Sequence, residues 1–311
     1  MRLSVAICTR DRARLLDACL ASLAGAAVPR GVEWEVVVVD NGSRDHTPQV
    51  LESFRERLPL VTVSESTPGL SAARNRAVTR ATGDYILWTD DDTRVAPRWL
   101  AAYHEAFLRW PRAAVFGGPI TPRFEGHPPS WLQTVLPAVA GAFALRDLGS
   151  EPVPLGIPGA LPFGANFAVR AVEQRRHLYR LDLGRMPGGL GLGHEETEMI
   201  RRIFQAGGTG WWVPAASVEH WIPRERQSLG YLRRHAASVA EYEALRSEVE
   251  IPPSPWSMWL SAIHAELRYR YRRLVRPPER WIVDLKVASA AWGRLRAMRR
   301  SRQGFDGGPI R

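Results

Sequence analysis

Apolar positions over the first 92 residues alternate between two periods. Residues 2–9 (RLSVAICT) are a strand-like run, and residues 12–25 then carry Leu15, Leu16, Cys19, Leu20 and Leu23 at helical spacing before Gly25. EWEVVVVD (33–40) is a continuous β-branched run, the pattern of a parallel strand covered on both faces. Residues 44–58 predict a helix, 59–65 a strand, 70–81 a helix and 84–90 a further strand. Strand and helix in alternation predict an α/β fold with a doubly wound, mostly parallel sheet.

From 117 to 165 the chain turns Pro/Gly-rich and predicts long loops around a crevice. GANFAVR (164–170) predicts a strand or a sheet edge, and GRMPGGLGLG (184–193) a glycine loop. Residues 194–208 predict a helix with Met199, Ile200, Ile203 and Phe204 on one face, and 209–221 a returning strand. Residues 256–302 predict two helices separated by RPPER (276–280). Their apolar stripes are Trp256, Trp259, Leu260, Ile263, Leu267, Tyr271 and Leu274, then Trp281, Leu285, Ala288, Trp292 and Leu295.

Charge changes the picture of that tail. Residues 263–311 hold 13 Arg and Lys against 4 Asp and Glu, so nearly all of the chain's net +10 sits there. Two readings are open: the tail meets an anionic lipid surface, or the stripes pack and the arginines are solvated. The pI of about 10.5 raises nucleic acid as a partner. The near-neutral body and its carboxylates at strand ends argue against it, and no nucleic acid is expected. Cys8 and Cys19 lack metal-ligand spacing, as suits a reduced compartment. No apolar run approaches the roughly 20 residues of a membrane span, and the N-terminal residues lack the apolar core of a signal peptide. The expectation is a cytoplasmic protein, free or peripheral on the inner face of the cell membrane. Lys286, the only lysine, follows no glycine loop, which excludes a P-loop. No G-x-G-x-x-G follows the first strand, which argues against a bound dinucleotide.

In doubly wound sheets ligands bind outside the carboxyl ends of the strands. The first strand ends at Thr9, Arg10 and Asp11, the second at Asp40, Asn41 and Gly42, and the fourth at Asp90, Asp91 and Asp92. Three adjacent carboxylates repel one another unless a cation joins them. The plain alternative is a solvated acidic turn.

VAICTRDR, VVVVDNGSRD, GLSAARNRAVTRATGDYILWTDDD, GANFAVR and GHEETEMIRRIFQAGG occur in this order between residues 3 and 235. Together they resemble the family 2 glycosyltransferases of the GT-A nucleotide-diphospho-sugar transferase fold. The resemblance implies inverting transfer from a nucleoside diphosphate sugar, UDP favoured, to a hydroxyl of a glycan or lipid-linked acceptor. It implies a divalent metal, Mn2+ or Mg2+, with Asp92 as direct ligand and Asp90 and His220 completing the site. Asp90 or Asp91 would otherwise face the ribose or a water. Thr9, Arg10, Asp40 and Arg74 map onto the nucleotide pocket, Asp40 at the N3 hydrogen of a uracil and Arg74 at the base or diphosphate. The catalytic base falls in HEETE: Glu196, which stands where the family more often has Asp, or Glu195. Asn166 is implied on the acceptor side. The implied organisation is a glycosyltransferase domain at 1–235 (nucleotide-binding half 1–116, acceptor half 117–235) and a basic amphipathic helical extension at 236–311. A sugar nucleotidyltransferase and a non-catalytic nucleotide-sugar-binding module remain as alternatives. The first usually has a glycine-rich loop after strand one, absent here, and the second is kept open by the Glu-for-Asp change.

Overall fold

A computed structural model describes residues 1–186, 193–246 and 255–302. Most of the expected glycine loop, 187–192, lies outside the described residues. The first half follows the expected alternation: β1 (Arg2–Thr9), α1 (Ala13–Ala24), β2 (Glu33–Asp40), α2 (Thr47–Ser53), β3 (Leu60–Ser64), α3 (Leu70–Arg80) and β4 (Tyr85–Thr89). Next come β5 (Thr93–Val95), α4 (Trp99–Arg109), β6 (Val115–Gly117), β7 (Ile120–Phe124), α5 (Ser130–Val139) and β8 (Pro154–Leu155). Then follow β9 (Asn166–Arg170), α6 (Ala171–Arg176), α7 (Glu195–Gln205), β10 (Gly210–Trp212) and β11 (Val218–Ile222). Three long helices close the chain: α8 (Leu229–Arg246), α9 (Pro255–Val275) and α10 (Pro278–Arg302).

The main sheet has the order β3-β2-β1-β4-β9-β6-β10-β8. Strands β1 to β4 are mutually parallel. Val36 to Val39 are completely buried, as their unbroken β-branched run requires. Strand β9 runs antiparallel between β4 and β6, so GANFAVR is a central strand and not an edge. Register sets the site. Thr9 pairs with Asp40, which aligns the ends of β1 and β2. Ala6 pairs with Trp88, and the same register continued three residues brings Asp91 beside Thr9. A second sheet, β5-β11-β7, pairs His220 with Thr93, directly after the acidic run.

The chain forms two compact units, one of residues 1–123 and 144–221, the other of 124–143 and 222–311. These divisions differ from the expected ones at 116 and 235. The cause is α5, a helix hidden in the Pro-rich stretch read as loop. Its buried face (Leu132, Val135, Val139) belongs with the C-terminal helices: Trp131 lies 6.0 Å from Trp281, and Lys286 Nζ donates to the Ala138 carbonyl at 3.0 Å. Within this unit α10 packs on both α8 and α9. Asp284 is buried and paired with Arg268 and Arg272 at 2.9 and 3.2 Å. Trp281, Leu285, Ala288 and Leu295 are buried, so the second of the two apolar stripes is a packing stripe.

Candidate active site

Every candidate residue falls in the first unit: Thr9, Arg10, Asp40 and Asp90 to Asp92 at the carboxyl ends of β1, β2 and β4, Glu195 and Glu196 at the start of α7, and Arg74, Asn166 and His220 on α3, β9 and β11. The turn after β1 is unusual: Asp11 has φ 52°, a left-handed conformation uncommon outside glycine. Its Oδ1 accepts the Arg44 N–H at 2.7 Å, and its own N–H donates to Ser43 Oγ at 3.0 Å. The loops after β1 and β2 are thereby tied together. Arg10 Nη1 donates to the Asn41 carbonyl at 3.0 Å, and Asp40 Oδ1 accepts the Ser43 N–H at 2.9 Å. Both side chains are half-buried on that rim.

The three aspartates point three ways. Asp91 is buried and accepts from the Thr9 hydroxyl at 2.8 Å and from Arg12 Nη1 at 2.7 Å. Asp92 is buried too. One of its oxygens accepts from Arg12 Nη1 at 3.0 Å, and the other lies 3.4 Å from His220 Nε2. Asp90 is more open and faces Arg74 Nη2 at 3.3 Å. Their mutual repulsion is thus answered by two guanidinium groups. Burial pushes the Asp91 carboxyl up to about 6, with Arg12 pulling it down and Asp92 pushing further up. The Asp91 charge in turn holds Arg12 above the ordinary arginine value.

Arg74, on α3, is almost wholly buried over Tyr179 and Trp88, its guanidinium 5.4 and 5.7 Å from their ring centres. Its Nη1 lies 3.1 Å from Glu195 Oε1, so it links the end of β4 to the start of α7. Burial and the adjacent Glu196 push the Glu195 carboxyl up to about 7 against the pull of Arg74. At Arg74 burial opposes the charge, and Glu195 with its neighbours outweighs it. The guanidinium is the fixed charge of the pair, and Glu195 is the member that titrates. Glu196 is half-buried and therefore the more open of the two. A Cβ at Gly164 would sit 2.8 Å from Arg74 Nη2 and 3.4 Å from Glu196 Cδ, so only glycine lets the chain pass this close to both. Left-handed Gly193 and His194 (φ 69° and 66°) turn the chain into α7, and Glu198 in its first turn pairs with Arg202 at 2.8 Å.

Two sequence expectations change here. Asn166 is completely buried. Its Oδ1 accepts from Trp99 Nε1 and the Tyr103 hydroxyl at 2.9 Å each, and its Nδ2 donates to the carbonyls of Pro119 and Ala216 at 2.9 and 2.7 Å. That spends its whole hydrogen-bonding capacity on the protein, and in this geometry it has none left for an acceptor sugar. Asp90 does not join Asp92 and His220. Among the described residues no three His, Cys, Asp or Glu side chains are grouped to hold a metal. A cation completed by phosphate oxygens and waters needs only one or two protein carboxylates; Asp92 would supply one, and the His220 ring nitrogen 3.4 Å from it would be a second protein ligand. Arg12 was missed altogether. Its signal was its place three residues beyond Thr9, but its partners lie 79 and 80 residues along the chain.

A mostly parallel sheet with an antiparallel strand inserted beside β4, and an acidic turn where β4 ends, defines the GT-A glycosyltransferase class. Residues 4–160, half of the sequence, match the family model of Glycosyl transferase family 2, and the chain belongs to that family. It is 27% identical over 240 residues to the succinoglycan biosynthesis protein ExoM of Rhizobium meliloti, covering 75% of this chain and 71% of that protein. It is 32% identical over 113 residues to a poly(ribitol-phosphate) β-glucosyltransferase of Bacillus spizizenii, covering 35% of this chain but only 17% of that one. The fold matches the Pyrobaculum calidifontis mannosyltransferase PcManGT, solved with GDP-Man and Mn2+, at TM-score 0.60 and 20% identity over 94% of this chain and 87% of that one. It also matches residues 1–349 of S. aureus TarS in complex with UDP-GlcNAc, at TM-score 0.53 and 18% identity over 98% and 92%. The protein is a glycosyltransferase that uses a nucleotide sugar.

Proposed function

We propose that the enzyme transfers a sugar, with inversion, from a UDP-sugar to a hydroxyl of a glycan or lipid-linked acceptor, with Mn2+ or Mg2+ at Asp92 and His220. The observation that carries this reading is the pairing of Asp92 with His220 beside Arg12, one strand end away from Thr9 and Asp40. Thr9, Arg10 and Asp40 line the rim where a nucleoside would lie, and Asp40 supplies an acceptor for the N3 hydrogen of uracil. UDP-GlcNAc in TarS supports the base, while GDP-Man in PcManGT makes GDP the competitor to test. When bound, the divalent cation would offset the charge growing on the diphosphate leaving group.

The chain's own groups do the rest. Arg12 adds positive charge beside the aspartates. Arg74 holds Glu195 and Asp90 in place. Glu196 takes the proton from the acceptor hydroxyl as general base, being the open carboxylate of the pair. Glu195 is the second candidate for that role. No described helix is long and apolar enough to cross a membrane. A cytoplasmic placement at or near the inner membrane face belongs to the same reading and is supported by two unbridged cysteines.

Calorimetry with UDP and with GDP, in manganese or in EDTA, tests the donor site. UDP is expected to bind the wild type tightly only with manganese, and Asp92→Ala is expected to lose most of that dependence. Equal UDP affinity in EDTA would overturn the metal assignment, and preference for GDP would overturn the base.

A further inference from the structure

We propose that the outward face of α9 is a docking surface for an anionic lipid membrane, on which the helix lies flat. This deepens the peripheral placement above and rests on it only for where the enzyme works. Trp256, Leu260, Ile263, Leu267, Tyr271 and Leu274 recur at helical spacing along α9, so they share one face. Each is between 47 and 85% exposed. The helix is inverted relative to an ordinary surface helix, which turns its large apolar side chains inward. Its inward face carries Ala262, Ala265 and Tyr269, all buried. Ala262 clusters with Ala291, Leu295 and Met298 of α10, and Trp259 packs on Trp292. The small residues therefore hold α9 on its neighbour, and the large ones face outward. Soluble monomers rarely leave a contiguous apolar patch of more than roughly a few hundred Å2 open to water.

Charge decides what covers it. Arg270, Arg273, Arg276 and Arg280 are exposed along the helix and just beyond its end. Glu266, the one acid within α9, is engaged by Arg233 and Arg270, and Asp284 of α10 is buried under Arg268 and Arg272. Glu266 and Asp284 are spent internally; Glu279, beside Arg280, is exposed, but the four exposed arginines outnumber it. A second copy laid on this stripe would set arginine rim against arginine rim. An anionic leaflet offers acyl chains to the stripe and phosphates to the rim, the arrangement of interfacial amphipathic helices. Trp256 and Tyr271 have the apolar body and polar tip that suit such an interface. At 21 residues and about 1.5 Å per residue the helix is long enough to lie across many headgroups, and it is not apolar enough to span.

The test is co-sedimentation of the full chain with phosphatidylcholine vesicles and with phosphatidylcholine–phosphatidylglycerol vesicles, at low and high salt. The wild type is expected to pellet with the anionic vesicles only, and its apparent affinity to fall about tenfold or more in high salt. Leu260→Glu with Leu267→Glu should leave the protein in the supernatant. Arg273→Gln with Arg276→Gln and Arg280→Gln should weaken binding and flatten the salt dependence. All these positions are exposed, and UDP calorimetry on each variant confirms a folded donor site independently of lipid. Equal recovery in the supernatant with both vesicle types at low salt would overturn the proposal. So would a concentration-dependent dimer in sedimentation equilibrium that the double leucine variant abolishes, because a second copy would then be the cover.

Discussion

Arg12 lies between Asp91 and Asp92, and Arg74 between Asp90 and Glu195. Each guanidinium holds two carboxylates that would otherwise repel, and the two together fix which acids remain open. Glu196 is the acid left half-open at the start of α7. Glu196→Gln should therefore retain donor affinity and lower turnover by roughly 10²–10⁴-fold, measured by steady-state kinetics beside calorimetry. If Glu195→Gln shows that loss and Glu196→Gln does not, the roles are reversed. Glu195 also predicts a pH effect on stability. Its carboxyl lies at about 7 against an ordinary 4.5. Between those values the folded protein holds a proton that the unfolded chain has released, so this group makes stability fall as pH rises across that window and change no further above it. Thermal melts of wild type and Glu195→Gln from about pH 3.5 to 8, about one unit beyond the window on each side, should differ in slope only within the window. Identical slopes would refute the assignment. Thr9, Asp40 and Asp90 to Asp92 were legible because strand ends are legible. Arg12 was not, because its reach depends on the left-handed turn at Asp11 and on a register set between distant strands. Asn166 was misjudged for a related reason: the indole of Trp99 and the phenol of Tyr103 that occupy it come from a helix more than 60 residues away.

Strands β1, β2 and β4 could be read directly, since buried parallel strands show as unbroken apolar runs. Strand β9 carries the same kind of run, yet its central place between β4 and β6 is a property of pairing, which local pattern does not encode. Helix α5 was hidden by prolines that sit before it and within it at Pro137. Helices α9 and α10 carry equally apolar stripes and meet opposite fates, because the small residues that let helices approach lie opposite the stripe on α9 and beside it on α10. Gly293 is the sharpest instance. A Cβ there would overlap the Ala237 carbonyl oxygen of α8 and come within 2.9 Å of its carbon. Gly293→Ala gains helix propensity of about 1 kcal/mol, but the overlap with rigid backbone should cost about 1–3 kcal/mol more than that. Chemical denaturation should show a net loss of stability, with UDP affinity of the folded protein unchanged. A more stable variant would mean that α8 and α10 can separate without penalty.

At the scale of the whole molecule, charge and chemistry are segregated. The candidate catalytic groups all belong to the unit of residues 1–123 and 144–221, and most of the excess cations to the other. That other unit is assembled from two pieces of chain, residues 124–143 and everything after 221. The shorter piece leaves and rejoins the sheet-bearing unit near one place, where the backbones of Ile120 and Arg146 exchange hydrogen bonds of 2.8 and 3.2 Å. An insertion whose ends are already clasped can be gained or lost without stretching its host. The C-terminal helices cannot be shed so simply, because a single stop after residue 221 strands α5 with Leu132, Val135 and Val139 uncovered. For an engineer this means that a minimal catalytic fragment requires two edits, an excision bridged between the clasped ends and a stop codon. For recombination it means that exchanging the helical tail or the internal insertion without the other leaves the apolar face of α5 without the α10 it packs on.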